Sequence, residues 1–315
     1  MILCCGDALI DMIPAQTAAG DPAFTPLPGG AIFNTAIALG RLGVEVGLLS
    51  GLSTDLFGDQ LRAALATSNV DARNAITSDR PTTLAFVQLS NGHARYTFYD
   101  ENSAGRSLDS ARLPDIPDEV KALYLGGISL ISEPGAAFYT ALAEREAAER
   151  VIVVDPNIRP GFITDAAAYR QRLDRLFAVA DIVKVSDEDL DWILPGQGTQ
   201  LEKLAELRAR GPGIVILTKG AAGATGLTHG GRLIEVASQP VAVVDTVGAG
   251  DTFNAGVLAR LAENGCLARQ TLNRIDDAIL RQAMEFGARV AAITVSRVGA
   301  NPPWSNEVNR AGGRA

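Results

Sequence analysis

Histidine and cysteine are scarce in this chain of 315 residues, and their scarcity excludes several kinds of chemistry. The two histidines are His93 and His229, so neither a zinc site of Cys/His spacing nor a His-dependent catalytic triad is expected. The three cysteines do not form the even, spaced set of a disulfide framework. We therefore predict a protein of the reducing cytoplasm.

Long apolar runs and an excess of basic residues are also missing. There is no apolar run of about 18 residues, so no membrane span is expected, and the first residues lack the basic and apolar regions of a secretory signal. The net charge of −8 argues against nucleic acid or an anionic membrane as a partner. An apolar content of 47% and a charged content of 20% predict a globular protein with a large core.

From Val120 onward, short apolar runs alternate with stretches of helical spacing. This alternation predicts an α/β protein whose mostly parallel central sheet is covered by helices on both faces. The strands predicted in this part are 122–125, 151–155, 182–185 and 214–218, followed by a hairpin at 223–240. Further strands are predicted at 2–13, 240–244 and 292–296.

Residues 82–100 have a different pattern. The segment 82–89 predicts a strand, Asn91-Gly92 is a strong signal for a hairpin turn, and 94–99 supplies a partner strand. An antiparallel ribbon inside a βα chain predicts a small separate sheet, such as a lid over a ligand site.

Polar residues stand at the ends of several predicted strands. They are Asp11, Asp155, Ser186, Lys219 and Asp245. Ligands of mostly parallel sheets bind beyond the carboxyl ends of the strands. Each of these residues is therefore a candidate site residue.

Two glycine turns each precede a predicted helix. Gly29-Gly30 comes before the helix that contains Asn34, and 248–250 comes before the helix that contains Asp251. The start of a helix presents unpaired backbone N–H groups and a partial positive charge, which suit an anion such as phosphate. On local grounds alone, Asp251 is equally compatible with a helix cap and with a base beside the anion.

Three familiar motifs are absent from the sequence: the phosphate-binding Gly-x-x-x-x-Gly-Lys-Ser/Thr loop, the dinucleotide-binding Gly-x-Gly-x-x-Gly turn and the Gly-x-Ser-x-Gly elbow. The remaining pattern fits phosphoryl transfer to a hydroxyl, which needs a base, donors around the phosphoryl group and in-line positioning. Asp251 and the N–H groups of the second glycine turn supply the first two. An acidic pair with Mg²⁺ would serve the nucleotide.

The chain resembles the ribokinase-like (PfkB-type) sugar kinases nearly from end to end. Pro28 to Gly43, with its Gly-Gly turn and Asn34, resembles the amino-terminal signature of that family, and Asp245 to Phe253 resembles the carboxy-terminal one. The resemblance implies a three-layer α/β/α ribokinase-like fold with a mostly parallel central sheet. It also implies one kinase domain, 1–315, with a small β-sheet lid built from about 10–28 and 82–100.

The resemblance implies a role for each matching residue. Asp251 is expected to be the general base, and Gly248, Ala249 and Gly250 to form the anion hole for the γ-phosphoryl group. The residues expected to bind the sugar are Asp11, Gly29, Gly30 and Asn34, to which the lid strand adds Tyr99 and the end of another strand adds Arg159.

The nucleotide and cation sites are implied in the same way. The residues expected near ATP are Ser186, Thr218, Lys219, Gly220 and Gly223. Those expected near a monovalent cation such as K⁺ are Asp245, Val247, Thr294 and Gly299. Ser186-Asp187-Glu188-Asp189 replaces the family's Asn-x-x-Glu motif, so Asp189 is expected to contact Mg²⁺ through water. Pro303 also departs from the polar residue of some potassium-binding members.

The sugar is predicted from Asp155-Pro156-Asn157-Ile158-Arg159, a form shared more with fructokinases and 2-keto-3-deoxygluconate kinases than with ribokinases. An arginine that faces the sugar would favour acidic 2-keto-3-deoxygluconate, whereas a neutral pocket would favour fructose. We predict an ATP-dependent fructokinase that uses Mg²⁺, with K⁺ as a candidate further cofactor. The alternatives are a 2-keto-3-deoxygluconate kinase and a ribokinase or nucleoside kinase. The predicted partners are a sugar and ATP, with a second copy of the chain held through the lid.

Overall fold

The computed structural model describes residues 1–90 and 93–312, so the predicted Asn91-Gly92 turn lies outside the described residues. The strands are β1 (Ile2–Cys5), β2 (Leu9–Gln16), β3 (Pro22–Gly29), β4 (Val46–Leu49), β5 (Gly51–Ser53), β6 (Val70–Asp71), β7 (Ile76–Ser78), β8 (Leu84–Ser90), β9 (His93–Tyr99), β10 (Ala122–Gly126), β11 (Val151–Asp155), β12 (Ile182–Ser186), β13 (Ile214–Thr218), β14 (Ala224–Leu227) and β15 (Leu233–Val236). The helices are α1 (Ala31–Arg41), α2 (Leu56–Thr67), α3 (Gly135–Glu146), α4 (Ala166–Val179), α5 (Asp187–Ile193), α6 (Gln200–Ala209), α7 (Ala249–Glu263), α8 (Arg269–Leu272), α9 (Asp277–Val295) and α10 (Ser305–Gly312).

The central sheet has nine strands in the order β15-β14-β13-β12-β11-β10-β1-β4-β6. All neighbours from β13 to β6 are parallel, whereas β14 and β15 are added as an antiparallel hairpin. The predicted mostly parallel sheet and the predicted hairpin at 223–240 are therefore confirmed.

The inner strands consist of apolar residues that are buried on both faces, as expected for parallel strands covered by helices. Successive side chains point to opposite faces, so Cys4 and Leu3 belong to different core clusters. Cys4 packs in the cluster that includes residues of α1, α7 and α9. Leu3 packs in the cluster that includes residues of α3, α4 and α6. These two clusters make the predicted three-layer α/β/α arrangement.

A second sheet of four strands, in the order β3-β2-β8-β9, forms the lid. The pairs β2–β3 and β8–β9 are antiparallel, and β2–β8 is parallel. One face of the lid packs through Tyr96 and Phe98 in a small cluster with Leu9 and Ile128. The prediction of a small sheet separate from the central one is therefore confirmed.

Two predicted strands at the ends of the chain are wrong. The expected strand at 2–13 is divided between β1 and β2, in different sheets, because the chain leaves the central sheet at Gly6. A Cβ on Gly6 would lie 2.5 Å from Ile32 Cγ1, so α1 crosses closely at this point. The expected strand at 292–296 is instead the end of α9, because the buried residues Gly287, Val290 and Thr294 continue its helical spacing.

The strand predicted at 240–244 is also wrong. This segment has no regular structure, and Val243 is 62% exposed. Its backbone instead contacts the end of α9, where Val244 N–H donates to Val295 O at 2.8 Å. An apolar β-branched composition alone does not make a strand when no sheet edge pairs with it. Within the described residues, no helix combines the length and the apolar character needed to cross a membrane.

Candidate active site

A cleft with a volume of about 410 Å³ lies at the carboxyl ends of the central strands, beneath the lid. Such a position is the usual ligand site of an open α/β sheet. Twelve predicted site residues line it: Asp11, Gly30, Asn34, Arg159, Ser186, Asp189, Thr218, Val247, Gly248, Ala249, Gly250 and Asp251. Eight do not: Gly29, Tyr99, Lys219, Gly220, Gly223, Asp245, Thr294 and Gly299.

Asp251 lies in the first turn of α7, with its carboxylate buried in the floor of the cleft. Its Oδ2 accepts a hydrogen bond of 2.9 Å from Asn34 Nδ2 on α1, and its Oδ1 lies 3.5 Å from Asn157 Nδ2 beyond β11. Among the described residues, no first-turn N–H group of α7 donates to this carboxylate. The helix-cap alternative is therefore not what the structure shows.

The surroundings of Asp251 tune its basicity. Burial raises the pKa of Asp251 to about 7, although the hydrogen bond from Asn34 lowers it. The nearby charge of Asp155 adds to the increase, and the charges of Lys184 and Arg159 oppose it. A carboxylate with a pKa near neutrality can take a proton and release it again under ordinary conditions, as a general base must.

The glycine turn, residues 248–250, brings the start of α7 to the cleft. Gly248 has a φ of 78°, in the left-handed region that favours glycine, and a Cβ there would lie 2.8 Å from Ala300 Cβ. In the described part of the chain, the N–H groups of Gly250 and Asp251 have no backbone acceptor, whereas that of Ala249 donates to Thr246 O at 3.2 Å. The free groups suit an anion at a helix start.

The opposite wall of the cleft carries two further carboxylates. Asp7 follows β1 and caps α1, with its Oδ2 accepting from Ala31 N at 2.9 Å; it is not among the predicted site residues. Asp11 stands beside Gly29, where a Cβ would lie 2.1 Å from Asp11 Oδ2. Burial raises the pKa of Asp7 to about 6 and that of Asp11 to about 7. Carboxylate oxygens accept hydrogen bonds from hydroxyl groups.

The lid contributes two aromatic residues to the cleft, but not the one predicted. Tyr96 and Phe98 line it, whereas Tyr99 is 63% exposed and packs edge-on against Phe86 on the outer face of the lid, with ring centroids 5.4 Å apart. The predicted sugar contact of Tyr99 is therefore corrected. The reason is the alternation of side chains along β9, which places residues of opposite parity on opposite faces.

Arg159 stands at the mouth of the cleft. Its Nη1 donates to the backbone oxygens of Asn157 at 3.3 Å and Ile158 at 3.1 Å. Its charge also lowers the pKa of Asp7, Asp11 and Asp251, although burial is the larger influence on each. The guanidinium group is thus near the polar wall, with part of its donor capacity used by the backbone.

The start of α5 forms the other end of the cleft. Ser186 and Asp189 make a reciprocal capping box, in which Asp189 N donates to Ser186 Oγ and Ser186 N donates to Asp189 Oδ2, both at 3.0 Å. Asp189 Oδ1 accepts a further bond of 2.8 Å from Ile158 N. The exposed residue Glu188 also lines this end.

Thr218 lines the cleft, but the predicted ATP-site residues that follow it do not. Lys219, Gly220 and Gly223 form a tight turn next to it. Lys219 N donates to Gly223 O at 2.8 Å. A Cβ on Gly223, whose φ is 86°, would lie 2.1 Å from Val236 O. The glycine is thus required by the close approach of β15.

The residues predicted near a monovalent cation lie behind the glycine turn. Asp245 accepts bonds from Val247 N at 3.0 Å and from Gly299 N at 2.9 Å. Thr294 is buried in the last turn of α9, where its hydroxyl donates to Val290 O at 3.0 Å. In the chain as described, no group of three or more His, Cys, Asp or Glu side chains has the arrangement of a metal site.

Lys184 is the main site residue that the sequence reasoning missed. It is buried in β12 and lines the cleft, where its Nζ donates to Asp155 Oδ2 at 3.0 Å. Asn254 Nδ2 donates to the same oxygen at 2.6 Å. A lysine within the apolar run Ile182–Ser186 was the available signal, because lysine is almost never fully buried without a partner.

The chain is similar to known proteins over most of its length. The family described as "pfkB family carbohydrate kinase" matches residues 1–307. A fructokinase of Rhizobium leguminosarum bv. trifolii is 50% identical over 281 residues, which cover 89% of this chain and 86% of the relative.

Two solved structures resemble the chain over nearly its whole length. A fructokinase of Xylella fastidiosa with bound ATP has a TM-score of 0.88 and 26% identity, and 99% of each chain is covered. An aminoimidazole riboside kinase of Salmonella enterica, complexed with its riboside and an ATP analogue, has a TM-score of 0.84 and 25% identity, with 98% of each chain covered.

Proposed function

The chain belongs to the pfkB family of carbohydrate kinases, and we propose that it is an ATP-dependent fructokinase of the cytoplasm. The observation that carries the kinase chemistry is the position of Asp251, whose buried carboxylate faces the cleft directly beside the free N–H groups of the glycine turn. The relative that is 50% identical, a fructokinase, supports fructose as the sugar. The three free, buried cysteines fit a reducing compartment.

The geometry supports direct transfer from ATP to a sugar hydroxyl. The sugar lies between Asn34 on α1 and the inner face of the lid, which carries Asp11 on β2 and the aromatic residues Tyr96 and Phe98 on β9. Asp251 accepts the hydroxyl proton as the sugar oxygen bonds to the γ-phosphorus, and the bond from that phosphorus to the bridging oxygen of ADP breaks. The free N–H groups of Gly250 and Asp251 donate to the phosphoryl oxygens, whose charge they stabilise in the transition state.

Magnesium fits the end of the cleft near α5. The carboxylates of Glu188 and Asp189 are oxygen ligands of the type that Mg²⁺ prefers, and Mg²⁺ in kinases keeps several of its waters. Both oxygens of Asp189 already accept backbone N–H bonds, which favours a contact through water. The ion would supply positive charge to the phosphates of ATP.

A monovalent cation fits the loop that contains Asp245. Asp245 ties this loop to Gly299, and the nearby carboxyl end of α9, with Thr294, carries a partial negative charge. Backbone oxygens near Val247, Thr294 and Gly299 would complete the ligands.

Because the glycine turn follows this loop directly, we expect a higher kcat in KCl than in choline chloride of equal ionic strength. Equal kcat values would rule the cation out.

The pH dependence of fructose phosphorylation tests the proposed base. We expect kcat/KM to fall as the pH is lowered through about 7, because Asp251, with its raised pKa, loses its negative charge in that range. Asp11 titrates near the same pH, so the apparent values belong to both groups together. ADP release, measured between about pH 5 and 9, gives the profile. A kcat/KM that stays level down to about pH 5 would contradict the assignment.

A nucleoside kinase is the second candidate, and the lid is the observation that favours it. Tyr96 and Phe98 face the cleft with nearly parallel rings, at 16° and with centroids 5.9 Å apart, and aromatic faces can stack on a base. A 2-keto-3-deoxygluconate kinase is the further alternative within the family, which Arg159 would serve by pairing with the sugar acid.

We propose that the lid and the central sheet form one kinase domain, 1–315. The outer face of the lid is suited to contact a second copy of the chain. Phe24 and Tyr99 are exposed there on either side of Phe86, with ring centroids 4.9 Å and 5.4 Å from it. An exposed cluster of large apolar side chains commonly marks an interaction surface. We propose a homodimer formed through this face.

The Tyr99→Asp variant tests the dimer, because a charge in the aromatic cluster would have to be desolvated at the interface. Light scattering after size-exclusion chromatography is expected to give a dimer for the wild type and a monomer for this variant. Leu201→Asp is the matched control, since Leu201 on α6 is 48% exposed outside the lid, and it should remain dimeric. A monomeric wild type would end the proposal.

A further inference from the structure

Lys184 is a buried cation whose surroundings do not use all of its hydrogen bonds. Its side chain is 6% exposed, and an ammonium group has three N–H donors. Among the described residues, Asp155 Oδ2 is the one acceptor within hydrogen-bond distance of Nζ, at 3.0 Å. Two donors are therefore left over in a group that borders the cleft.

The spare donors lie next to the glycine turn. A Cβ placed on Gly250 would be 3.2 Å from Lys184 Nζ, so the ammonium group and the free N–H of Gly250 border the same space. The absence of a side chain at position 250 keeps that space open. Gly250 thus serves both the start of α7 and the approach to Lys184.

The charge of Lys184 is maintained by its neighbours. Although burial lowers the pKa of Lys184, the charges of Asp155 and Asp189 raise it, and the net result lies above the ordinary value of 10.5. Asp155 is itself held by Asn254 Nδ2 at 2.6 Å and by Asn157 N at 3.1 Å. A buried ion pair is often no more stable than an apolar pair of the same volume, so stability alone is a poor reason for it.

We propose that Lys184 is a catalytic residue whose ammonium group donates to the transferring γ-phosphoryl group, and that Asp155 and Asn254 are positioning residues that hold it. The assignment rests on the proposed kinase function and adds a fixed positive charge to the anion site of the glycine turn. Lys184 keeps its proton throughout. The only proton that moves goes from the sugar hydroxyl to Asp251, as the new P–O bond forms and the bond to ADP breaks.

The Lys184→Met variant removes the charge with little change in volume. We expect kcat with fructose to fall by about 10²–10³-fold, the usual loss for one donor to a developing oxyanion. KM for fructose and the Kd for ADP should change by less than about threefold, because the donor acts mainly on the transition state. The acid limb of the pH profile should move upward, since the charge of Lys184 lowers the pKa of Asp251.

The double variant Lys184→Met, Asp155→Asn separates catalysis from folding. The single variant leaves Asp155 as an uncompensated buried charge, which can unfold a protein, whereas the double variant leaves none. If the ion pair is only structural, the double variant recovers kcat to within about fivefold of the wild type, which corresponds to an increase of about 1 kcal/mol or less in the activation free energy. If Lys184 is catalytic, kcat stays about 10²-fold or more below the wild type in both variants.

Binding of ADP together with aluminium fluoride, which stands in for the transferring phosphoryl group, supplies a readout that does not depend on the sugar. Calorimetry should give weaker binding of this pair to the double variant than to the wild type, with unchanged binding of ADP alone. The assignment of Lys184 is overturned if ADP with aluminium fluoride binds equally well to the wild type and the double variant, or if the double variant recovers kcat. A wild type that turns over another sugar but not fructose refutes the fructokinase proposal instead, and Lys184 is then tested on that sugar.

Discussion

Replacing Asp251 by Asn is expected to lower kcat with fructose by at least about 10²-fold, because a general base typically contributes 10²–10⁴-fold. Asn has nearly the shape of Asp and can still accept the 2.9 Å hydrogen bond from Asn34 Nδ2, but it cannot take the hydroxyl proton at neutral pH. Binding of ADP should be little changed. Steady-state ADP release and ADP calorimetry on the same preparation measure the two quantities.

A helix-capping aspartate elsewhere in the chain provides the matched control. Asp276 caps α9, where its Oδ1 accepts from Ala278 N at 2.7 Å, so Asp276→Ala should cost about 1 kcal/mol of stability and leave kcat unchanged. Asp251→Asn should show the opposite pattern, with activity lost and the melting temperature kept. An Asp251→Asn enzyme that keeps more than about a hundredth of the wild-type rate cannot be using Asp251 as its base.

Gly248→Ala is expected to produce the second large loss, again of about 10²-fold or more in kcat, because the glycine turn presents the donors of the anion site. The φ of 78° disfavours a side chain, and the new Cβ would lie 2.8 Å from Ala300 Cβ. Either the turn or the chain around Ala300 must therefore shift. The loss should appear in single-turnover transfer rates as well as in kcat, because it concerns the chemical step.

Gly265→Ala is the control for the backbone strain itself. Gly265 has a φ of 65° just beyond α7, but a Cβ there would meet nothing within 4 Å. Both variants should therefore lose about 1 kcal/mol or more of stability, while only Gly248→Ala should lose most of its activity. If Gly248→Ala retains wild-type kcat at a temperature where it is folded, the glycine turn does not form the anion site.

Some parts of the candidate site were predictable because their signals are local. The sequence shows both glycine turns, because in each case closely spaced glycines precede a stretch of helical spacing. It also shows the polar residues in the first turn of the following helices, Asn34 and Asp251. Their meeting could not be found in that way, because the hydrogen bond between them joins residues 217 positions apart. The end-to-end family resemblance supplied that information instead.

Lys184 shows the limit of local patterns more clearly. Within the buried strand β12 it resembles an interruption of an apolar run, and its partner Asp155 lies 29 positions earlier. The parallel neighbours β11 and β12 bring the two together. The predicted sugar contact of Tyr99 was wrong for a related reason. Which face of β9 meets the cleft depends on the register of β9 with β8.

The wrong strands at 240–244 and 292–296 have a common physical cause. Both segments contain β-branched apolar residues, which are frequent in strands, but neither finds a partner in the central sheet. The helical spacing of α9 extends to Thr294, and 240–244 lies against the end of that helix. The local sequence of these segments is compatible with a strand, but the packing of α9 gives 292–295 a helical conformation and leaves 240–244 without regular structure.

A competition experiment tests the fructokinase assignment most directly. Fructose, 2-keto-3-deoxygluconate, ribose and adenosine are supplied together at equal concentration with limiting ATP, and the phosphorylated products are quantified by mass spectrometry. The product ratios then equal the ratios of kcat/KM. We expect fructose phosphate as the dominant product, formed by the wild type and lost in Asp251→Asn. Predominant phosphorylation of adenosine or of the sugar acid would contradict it.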